Sequence, residues 1–412
     1  MSASLRLSAI NPDKYCEYRT DLIFNAYKWD PQVADQNTIA KHAIVIKEET
    51  AQKLGQWAEQ MSKETVLMEE ALIHNLPLAK KLGFLPQIIK ELPRLSDYKA
   101  EQNVRLMRFD FHPVTDGWAV SEVNSDVPGG LAEASLWPKI AGKYINEDRG
   151  VYTAFAENVD KLLLEAFKKK IKNDGTIAFV HATSYSDDRQ VMQFLGDCFS
   201  QNGLQVIYAA PDLIKWKNKK AFCIINKKEC AVDGIVRFFP LEWLVNLSKN
   251  SNWQGYYDTV TPSCNHPAAI FAQSKRLPLI WDSLGIDIPF WKKFLPVTFD
   301  PKSKSITSAI DDDWIHKPAF GRVGEGISIK EAITKKEMDK IKKAVKKYPG
   351  DWIIQKRFNS QPVLADDGSE YHICIGAFTV QNKCAGFYGR ISSYPRIDSK
   401  AMDIPILIEK EN

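Results

Sequence analysis

The stretch RFDFHPVTDGWAVSEVNSD, residues 108–126, decides the fold of this chain of 412 residues. Residues 104–112 and 118–124 alternate polar and apolar side chains, and the turn-forming sequence PVTDG lies between them, so the pattern predicts a β-hairpin. Side chains alternate between the two faces of a strand, and pairing of even-numbered with even-numbered residues gathers the polar ones. The polar face then carries Arg108, Asp110, Glu122 and Asn124.

This polar face has the composition of a metal site. Two carboxylates, an amide and a guanidinium on one face cost free energy unless a doubly charged group lies among them. Asp110, Glu122 and Asn124 offer the hard oxygen ligands that Mg²⁺ prefers, with phosphate oxygens and water completing its shell. On these residues alone, a magnesium site and a surface hairpin with a fortuitous charge cluster remain equal alternatives.

A glycine-rich segment, HKPAFGRVGEG at residues 316–326, indicates a phosphate-binding loop. It predicts the end of a strand, a loop through the glycines, and a returning strand at residues 327–329. Glycines let the backbone approach a phosphate chain, and Lys317 beside them supplies a compact positive charge. The segment lacks the Gly-Lys-Ser/Thr of a Walker motif, and no helix is predicted after it, which excludes a dinucleotide fingerprint. A strand, loop and strand over phosphates is closer to the way protein kinases cover ATP.

The order of these motifs resembles the synthetase domain of glutathionylspermidine synthases. Those enzymes are ATP-grasp ligases, related in a permuted arrangement to eukaryotic glutathione synthetase. The matching segments are residues 108–110, 122–126, 317–324 and 389–392. The resemblance runs over essentially the whole chain. It implies an α/β fold, namely a permuted glutathione-synthetase-like ATP-grasp with a Rossmann-like α/β subdomain that precedes the ATP-grasp unit.

The resemblance assigns catalytic and metal-binding roles. Asp110, Glu122 and Asn124 match the positions that hold magnesium in those synthetases. Arg108 matches an arginine that reaches the transferring phosphoryl group, although it could instead clamp the neighbouring carboxylates. Arg390, in Gly-Arg-Ile-Ser, matches a catalytic arginine, whereas a lone arginine in a hairpin usually forms a surface ion pair.

The resemblance also implies a set of ATP-binding residues. Two lysines match those that ATP-grasp sites place on the nucleotide phosphates, and the strand at residues 351–356 would run beside the adenine or would simply be buried. Lys275 is alternatively a solvated charge at the start of a helix, with Arg276 as a competitor. The predicted ATP-binding residues are Lys275, Lys317, Gly321, Arg322, Gly324, Gln355 and Lys356.

The chain departs from the family where the peptide substrate binds. Family synthetases carry hydroxyl residues after the Glu-x-Asn-x-Asp motif, and this chain has Val-Pro-Gly-Gly at residues 127–130. Glycines at the start of a helix can still offer backbone N–H groups to an anion. Arg237 is either a substrate anchor or a partner of Glu242. The predicted substrate-binding residues are Asp126, Gly129, Gly130 and Arg237.

Bulk composition excludes several classes of protein. The formal net charge is +4, from 55 basic and 51 acidic residues, which argues against a dedicated nucleic-acid binder. Seven cysteines form no CxxC pair and their odd number disfavours a disulfide framework. No stretch has the apolar length of a signal peptide or a membrane span, so we expect a cytoplasmic protein without a membrane partner.

The pattern of elements predicts three regions. Residues 1–145 form a helical region and the metal-binding hairpin, as part of the ATP-grasp unit. Residues 146–260 form the α/β substrate subdomain, with a helix at 152–172 and a strand, helix and strand between 176 and 208 that favour a parallel sheet. Residues 261–412 form the nucleotide-binding region, with a lysine-rich helix at 335–347 that a capping box begins.

The sequence therefore predicts an ATP- and Mg²⁺-dependent carboxylate–amine ligase that works through an acyl phosphate. Its partners are a small-molecule or peptide carboxylate and an amine or polyamine, and the oligomeric state is open. Two alternatives stand beside this hypothesis. One is a non-catalytic ATP- or peptide-binding protein on the same scaffold, and the other is an ATP-dependent kinase.

Overall fold

The computed structural model describes residues 5–33, 35–145, 152–155, 158–225, 227–303, 313–322 and 324–410. The α-helices are α1 (Tyr15–Asn25), α2 (Glu48–Ile73), α3 (Leu76–Ala79), α4 (Pro86–Glu91), α5 (Leu131–Ala141), α6 (Val159–Lys168), α7 (Ser186–Gln201), α8 (Ile270–Gln273), α9 (Pro289–Phe294) and α10 (Lys335–Lys347).

The strands of the first half of the chain are β1 (Leu5–Ala9), β2 (Gln32–Val33), β3 (Gln36–Asn37), β4 (His42–Lys47), β5 (Leu106–Val114), β6 (Gly117–Asn124), β7 (Tyr152–Thr153), β8 (Thr176–His181) and β9 (Gln205–Ala209). The remaining strands are β10 (Ile214–Lys217), β11 (Lys220–Ile225), β12 (Lys228–Ala231), β13 (Gly234–Phe238), β14 (Ser263–Cys264), β15 (Thr298–Phe299), β16 (Trp314–Pro318), β17 (Trp352–Lys356), β18 (Val363–Leu364), β19 (Glu370–Val380), β20 (Lys383–Ser392), β21 (Met402–Ile404) and β22 (Ile406–Glu409).

The predicted hairpin is confirmed as β5 and β6, at one edge of a sheet with the order β21-β20-β19-β5-β6. Arg108 lies opposite Asn124, as even-to-even pairing requires. The register then shifts by one residue, so that Phe111 lies opposite Val120. Two residues of β6 therefore oppose Asp110 in a β-bulge, which re-aims the side chains of the hairpin at this point.

The apolar face of the hairpin fixes the orientation of the polar face. Met107, Phe109 and Phe111 are fully buried. They belong to the largest core cluster, together with residues of α2 such as Leu54 and Met61. Because side chains alternate along β5, burial of these residues turns Arg108 and its polar neighbours the opposite way.

The α/β unit is confirmed as a parallel sheet with the order β14-β13-β8-β9. The predicted strands at 176–181 and 204–208 and the helix between them are β8, β9 and α7. The predicted helix at 152–172 is shorter, since residues 152–153 form β7 and helix α6 begins at Val159. Strand β14 extends this sheet beyond the boundary predicted at residue 260. The domain boundaries themselves remain predictions.

The glycine-rich segment follows β16, in a small sheet with the order β15-β17-β16. The predicted returning strand at residues 327–329 is wrong, since these residues form no strand, although the Ser328 N–H donates to the His316 carbonyl of β16 at 3.2 Å. Gly326 has φ +69°, which turns the chain away from strand geometry. The Ser328 hydroxyl accepts a hydrogen bond from the His316 N–H at 2.7 Å, where a ladder bond would otherwise form.

A separate sheet brings distant parts of the chain together, in the order β1-β4-β22-β7. Strand β4 lies inside the N-terminal part of residues 1–145, which was predicted to be helical ahead of the hairpin, and helix α2 follows it directly. The lysine-rich helix is confirmed as α10, and Thr334 caps its N-terminus, with the Glu337 N–H donating to the Thr334 hydroxyl at 3.2 Å. Within the described part of the chain, no helix combines the length and apolarity that crossing a bilayer requires. All seven cysteines are described, and none forms a disulfide.

Candidate active site

A cavity of about 590 Å³ lies where the hairpin, the starts of α5 and α7, the glycine-rich segment and strands β20 and β21 meet. Most of the residues predicted for the site line it. These are Arg108, Asp110, Glu122, Asn124, Gly129, Gly130, Lys317, Arg322, Gly324 and Arg390. A neighbouring cavity of about 30 Å³ is lined by Lys275 and Gln355 as well as by Glu122 and Lys317.

Arg108 is held by the hairpin and by the chain that follows it. Its Nε and Nη2 donate to the two carboxylate oxygens of Asp110 at 2.7 and 2.9 Å. Its Nη1 donates to the Gly129 carbonyl at 2.7 Å, and its guanidinium lies 5.0 Å from the centre of the Tyr388 ring. Asn124 completes the group, since its Nδ2 donates to Asp110 at 3.0 Å. Arg108 therefore clamps the neighbouring Asp110 carboxylate, which was one of the two roles that the sequence allowed. Its contact with the transferring phosphoryl group remains a prediction.

Glu122 lies in the β-bulge and faces two lysines. Its Oε2 is 2.8 Å from Lys275 Nζ. Burial alone would raise the pKa of Glu122, but the charges of Lys275, Lys317 and Arg108 outweigh burial and lower the pKa to about 2. Burial lowers the pKa of Lys317 to about 8, with Glu122 opposing this change and Lys275 adding to it. Positive charge thus concentrates where a phosphate chain would lie.

Lys275 connects this charge cluster to the glycine-rich segment. Its Nζ donates to the Gly321 carbonyl at 2.7 Å, and its side chain is 9% exposed. The alternative of a solvated lysine is therefore wrong. Arg276 points elsewhere, since its Nη2 lies 2.5 Å from Asp300 and its other nitrogens donate to backbone carbonyls. Of the two competing residues, Lys275 is the one at the site.

Arg322, on the glycine-rich segment, faces the α/β unit. Its Nη2 lies 2.7 Å from the Glu242 carboxylate, and its guanidinium is 5.6 Å from the centre of the Trp243 ring. Gly324 has φ +67°, and a Cβ there would lie 2.4 Å from the Ile397 carbonyl oxygen, so only glycine fits. Arg322 thus contacts residues 242–243, and Gly324 lies close to the backbone at Ile397. Contact of Arg322 and of the glycines with ATP remains a prediction.

Arg390 is a nearly buried residue of β20, with its side chain 15% exposed. Its Nη2 donates to the Asp398 carbonyl at 2.5 Å, and its Nε lies 3.8 Å from Asp403. Burial would lower the pKa of Arg390, and the nearby Tyr388 and Asp403 side chains raise it by more. The alternative of a surface ion pair is therefore wrong. The Nε is buried without a hydrogen-bond partner among the described residues.

Asp126 and Arg237 lie behind the cavity and pair with each other. Arg237 Nη2 is 2.5 Å from Asp126 Oδ1, and the two side chains are 1% and 0% exposed. The second oxygen of Asp126 accepts from the Leu241 N–H at 2.8 Å. The alternative that Arg237 pairs with Glu242 is wrong, because Glu242 pairs with Arg322. Both predicted substrate residues thus have partners inside the protein, and their contact with a substrate remains a prediction.

The side chains of Gln273 and Asn265 position the turn after β6. The Oε1 of Gln273 accepts from the N–H groups of Ser125 and Asp126, each at 2.9 Å. Asn265 Nδ2 donates to the carbonyls of Ser125 at 3.0 Å and of Asp126 at 2.9 Å. These contacts fix the chain directly after Asn124. They span more than a hundred residues of sequence, and no local pattern reveals them.

The Gly-Gly sequence forms one wall of the cavity. Gly130 has φ +89° and precedes helix α5, and a Cβ there would lie 2.6 Å from the Tyr388 ring. The Gly129 carbonyl is used by Arg108. The absence of a side chain at Gly130 lets the Tyr388 ring lie against the start of α5, beside the guanidinium of Arg108.

The second cavity adjoins the strand expected beside the adenine. Gln355 is buried, its Nε2 donates to the Thr298 hydroxyl at 2.9 Å, and its Oε1 has no hydrogen-bond partner among the described residues. Trp281 and Trp291 form the apolar side of this cavity. The volume of about 30 Å³ is far smaller than a purine, so this region has to open to admit one. Lys356 is exposed, and its backbone N–H donates to Val297.

Sequence reasoning missed a group of ionisable side chains that lines the cavity beside Tyr388 and Arg390. Lys28 Nζ lies 2.7 Å from Asp403 and 3.7 Å from Glu133, and all three line the cavity. Tyr388 donates its hydroxyl to Asp403 at 2.5 Å. Burial lowers the pKa of Lys28, but the two carboxylates more than offset this and raise it above the ordinary value. Lys28 stands alone in the sequence, and no motif marks it.

The donor set of the hairpin suits magnesium. Asp110, Glu122 and Asn124 carry oxygen atoms of the kind that Mg²⁺ prefers. Arg108 and Lys275 now neutralise the two carboxylates, in the way that a divalent cation would. Among the described residues, no group of three or more His, Cys, Asp or Glu side chains is placed to hold a metal ion. The hairpin set has two carboxylates and an amide, so it fits by its chemistry, and metal binding remains a prediction.

The sheets, the hairpin and the cavity define an ATP-grasp-type fold. The chain belongs to the glutathionylspermidine synthase preATP-grasp family, whose model matches residues 17–409. The predicted family and fold are therefore confirmed.

Two solved structures are similar to the chain. A glutathione synthetase-like effector from Globodera pallida, in apo form, matches with a TM-score of 0.63 and 11% identity, covering 96% of this chain and 99% of that chain. A putative gamma-glutamylcysteine synthetase from Methylobacillus flagellatus KT matches with a TM-score of 0.43 and 12% identity, covering 82% of this chain and 86% of that chain. The first likeness shows a shared fold. No curated protein matches the sequence.

Proposed function

We propose that the protein is an ATP- and Mg²⁺-dependent carboxylate–amine ligase that forms an amide through an acyl phosphate. Membership of the glutathionylspermidine synthase preATP-grasp family supports a synthetase-type ligase. The observation that carries the proposal is the cavity in which the hairpin carboxylates, Lys317 and Arg390 converge. The positive charges of Lys317 and Arg390 suit substrates that carry negative charge, namely a phosphate chain and a carboxylate.

The residues of the chain have separate tasks in this reaction. Lys275 and Lys317 hold the phosphates of ATP, because both ammonium groups lie at the hairpin where the glycine-rich segment begins. The substrate carboxylate attacks the γ-phosphate and ADP leaves. The amine then attacks the acyl carbon and releases phosphate. Arg108 and Arg390 donate to the oxygens on which negative charge develops, and each such donor is worth about 3 kcal/mol.

The oxygens of Asp110, Glu122 and Asn124 would hold Mg²⁺, which when bound offsets the negative charge between the β- and γ-phosphates. Glu122 suits this task because the low pKa of about 2 keeps it ionised at neutral pH. The remainder of the catalysis is positioning, and it needs no covalent bond to the enzyme.

The peptide site differs from that of the family synthetases. Val127, Gly129 and Gly130 line the cavity where hydroxyl residues are expected. Loss of these hydroxyls removes donors for the carboxylate of glutathione. Glutathione and spermidine together should therefore give little ADP release above background, and robust formation of glutathionylspermidine would contradict this part of the proposal.

Hydroxylamine tests the reaction class directly. The protein, ATP, Mg²⁺ and a panel of amino acids and peptides are incubated with hydroxylamine, and both ADP and hydroxamate are measured. An acyl phosphate gives a hydroxamate in step with ADP. A kinase would give ADP and a phosphorylated product without hydroxamate, and this outcome would replace the ligase proposal.

One observation favours the non-catalytic alternative. Both oxygens of Asp110 are occupied by Arg108, so this ion pair has to rearrange before Asp110 can bind a metal ion. A binding protein would retain ATP affinity and show no ADP release with any acid and amine. Calorimetric titration of ATP with and without Mg²⁺, beside the ADP assay, separates the two functions.

A further inference from the structure

Two cysteines face each other in the small antiparallel sheet with the order β10-β11-β12. Cys223 of β11 lies directly opposite Cys230 of β12. Side chains of directly opposed residues project to the same face of a sheet, with their Cβ atoms about 4.5–5.5 Å apart. Both cysteines are free thiols in this structure. The register therefore places two thiols side by side.

This pairing distinguishes the two residues from the other cysteines of the chain. Cys16 and Cys198 lie on helices. In the registers of the described strands, each of the remaining three cysteines is opposite a residue of another type. These pairs are Cys264 with Val236, Cys374 with Arg390, and Cys384 with Thr379. Within those registers, a cysteine thus meets a second cysteine at this one place.

The backbone geometry of the pair is compatible with a disulfide. Directly opposed residues of antiparallel strands have Cα atoms about 4.5–5.5 Å apart, and a disulfide joins Cα atoms about 4.4–6.8 Å apart. The Cβ atoms have to approach by about 1 Å for the bond to form. In the described part of the chain, β12 is an edge strand that pairs with β11 alone. It can therefore move toward β11 without losing a second ladder of hydrogen bonds.

The two thiols differ in their access to solvent. Cys223 is 1% exposed and belongs to the largest core cluster, together with Ala221 of the same strand. Burial raises the pKa of Cys223, and the nearby Cys230 adds to this rise. Cys230 is half-buried, and its Sγ lies 3.9 Å from the Lys228 carbonyl oxygen. Cys230 is therefore the thiol that a dissolved reagent meets first.

We infer that Cys223 and Cys230 form a redox-modification site, at which the two thiols are converted reversibly into a disulfide by exchange with a low-molecular-weight disulfide. Neither cysteine lines the cavity of the candidate active site. The inference goes beyond the proposed function and does not depend on it.

The exchange proceeds in two steps. The thiolate of Cys230 attacks one sulfur of the small disulfide, so that a mixed disulfide forms and the other sulfur leaves as a thiolate, which takes up a proton. Cys223 then loses its proton and attacks Cys230 Sγ, which forms the bond within the chain and releases the second small thiol. The two cysteines together lose two electrons and two protons, and the small disulfide is reduced to two thiols. An excess of the small thiol reverses both steps.

Peptide mapping after exchange tests the inference. The full chain is equilibrated with hydroxyethyl disulfide and mercaptoethanol, the remaining thiols are blocked with N-ethylmaleimide in denaturant, and the protein is digested with trypsin. Lys227 and Lys228 lie between the two cysteines, so trypsin separates them into residues 221–227 and 229–237. We expect a disulfide to join these two peptides. The intact chain should lose the mass of two hydrogen atoms without forming a dimer, and dithiothreitol should restore both thiols.

Single variants separate the roles of the two thiols. In Cys223→Ser, the mixed disulfide at Cys230 should be at least about tenfold more abundant than in the wild-type protein, because a neighbouring thiol acts at an effective concentration in the millimolar range or higher. In Cys230→Ser, Cys223 should remain a free thiol, because it is buried. Cys198→Ser is the matched control, since Cys198 is also half-buried, and this variant should leave the joined peptides unchanged.

The inference is overturned if Cys230 of the wild-type protein carries the mixed disulfide while Cys223 remains a thiol, or if neither thiol reacts. The two cysteines would then be packed side chains without exchange chemistry. Joined peptides that come only from dimers would overturn it as well. If Cys223→Ser does not fold, the peptide map of the wild-type protein and of Cys230→Ser decides. ADP release is not part of these measurements, so failure of the ligase proposal would be seen separately.

Discussion

At the scale of single residues, the lowered pKa of Lys317 predicts that ATP binding depends on pH. Burial brings its pKa down to about 8, so the free protein loses this charge as the pH rises through that value. Phosphates favour the charged lysine. We therefore expect ATP affinity to fall between about pH 7 and pH 9, with uptake of a proton on binding in that range. Titration calorimetry in buffers of different ionisation enthalpy measures both effects.

Lys317→Arg is the control for this prediction. Arginine stays protonated throughout the range, so the variant should bind ATP with a flatter pH dependence and without proton uptake. An equally steep decline in Lys317→Arg would mean that another group causes it.

Arg390 should act on the reaction and leave the binding of ATP almost unchanged. Its side chain lines the cavity, and its Nε lies 3.8 Å from Asp403 without a hydrogen bond to any described residue. Arg390→Ala should lower kcat by about two to three orders of magnitude, with little change in ATP affinity. Lys317→Ala should instead weaken ATP binding directly. Equal losses of ATP affinity in the two variants would make Arg390 a nucleotide clamp.

Glu122 and Asn124 should be necessary for ADP formation and dispensable for folding. Both side chains face the cavity, and the Glu122 side chain is 22% exposed. Glu122→Gln and Asn124→Ala should each abolish Mg²⁺-dependent ADP release. Both variants should keep the native fold in circular dichroism. Asn124→Ala should melt within about 4 °C of wild type, as expected for a change below 1 kcal/mol. Glu122→Gln should melt at a lower temperature, because Lys275 and Lys317 lose their counter-charge. Wild-type turnover in either variant would remove the metal assignment.

At the scale of elements, Gly130 determines how α5 approaches β20. A Cβ would meet the Tyr388 ring at 2.6 Å, and φ is +89°. Gly130→Ala should therefore lower the free energy of unfolding by at least about 2 kcal/mol, through backbone strain and displacement of the ring. Gly142, at the other end of α5, offers the matched control. A Cβ there meets no atom nearer than 3.5 Å, so Gly142→Ala should be close to neutral in urea denaturation. Equal effects of the two variants would contradict the argument.

Local patterns predicted the hairpin well, because alternation and a turn sequence are properties of neighbouring residues. The β-bulge could not be predicted in this way. An extra residue in β6 depends on how its side chains meet Lys275, which lies far along the chain. The returning strand at residues 327–329 was wrong for a local reason: the Ser328 N–H does donate to the His316 carbonyl of β16, but the Ser328 hydroxyl takes the His316 N–H and Gly326 has a positive φ, so no ladder continues. Strand pairing across a long separation leaves no local signal.

At the scale of the whole molecule, the Asp126–Arg237 pair joins the hairpin region to the α/β sheet. Both side chains are buried, at 0% and 1% exposed. Removing one partner leaves a buried charge, so Asp126→Ala should lower the free energy of unfolding by about 3–5 kcal/mol. The exposed pair of Asp97 and Lys219 is the control, and Asp97→Ala should cost less than about 1 kcal/mol. Loss of substrate affinity in Asp126→Ala at unchanged stability would instead support the predicted substrate role.

The ionisable side chains around Lys28 show the limit of sequence reasoning at this scale. Lys28 and Asp403 are 375 residues apart, and neither stands in a motif. The hairpin residues and the Gly-Arg-Ile-Ser motif could be assigned to one site from the sequence, because they occur in the same order as the motifs of the family that the chain resembles. Lys28 and Asp403 lie outside that shared order, and only the folded chain brings them together.

The order in which the central sheet is assembled has a consequence for biosynthesis. Strand β5 pairs on one side with β6, which is synthesised directly after it. On the other side it pairs with β19, which begins only at Glu370. Until β19 has been made, β5 has an unpaired edge. An unpaired apolar edge is a template for aggregation, and such long-range pairing is slow. We therefore expect the nascent chain to depend on chaperones for most of its synthesis, and the hairpin to become protected from hydrogen exchange only after the late strands have emerged.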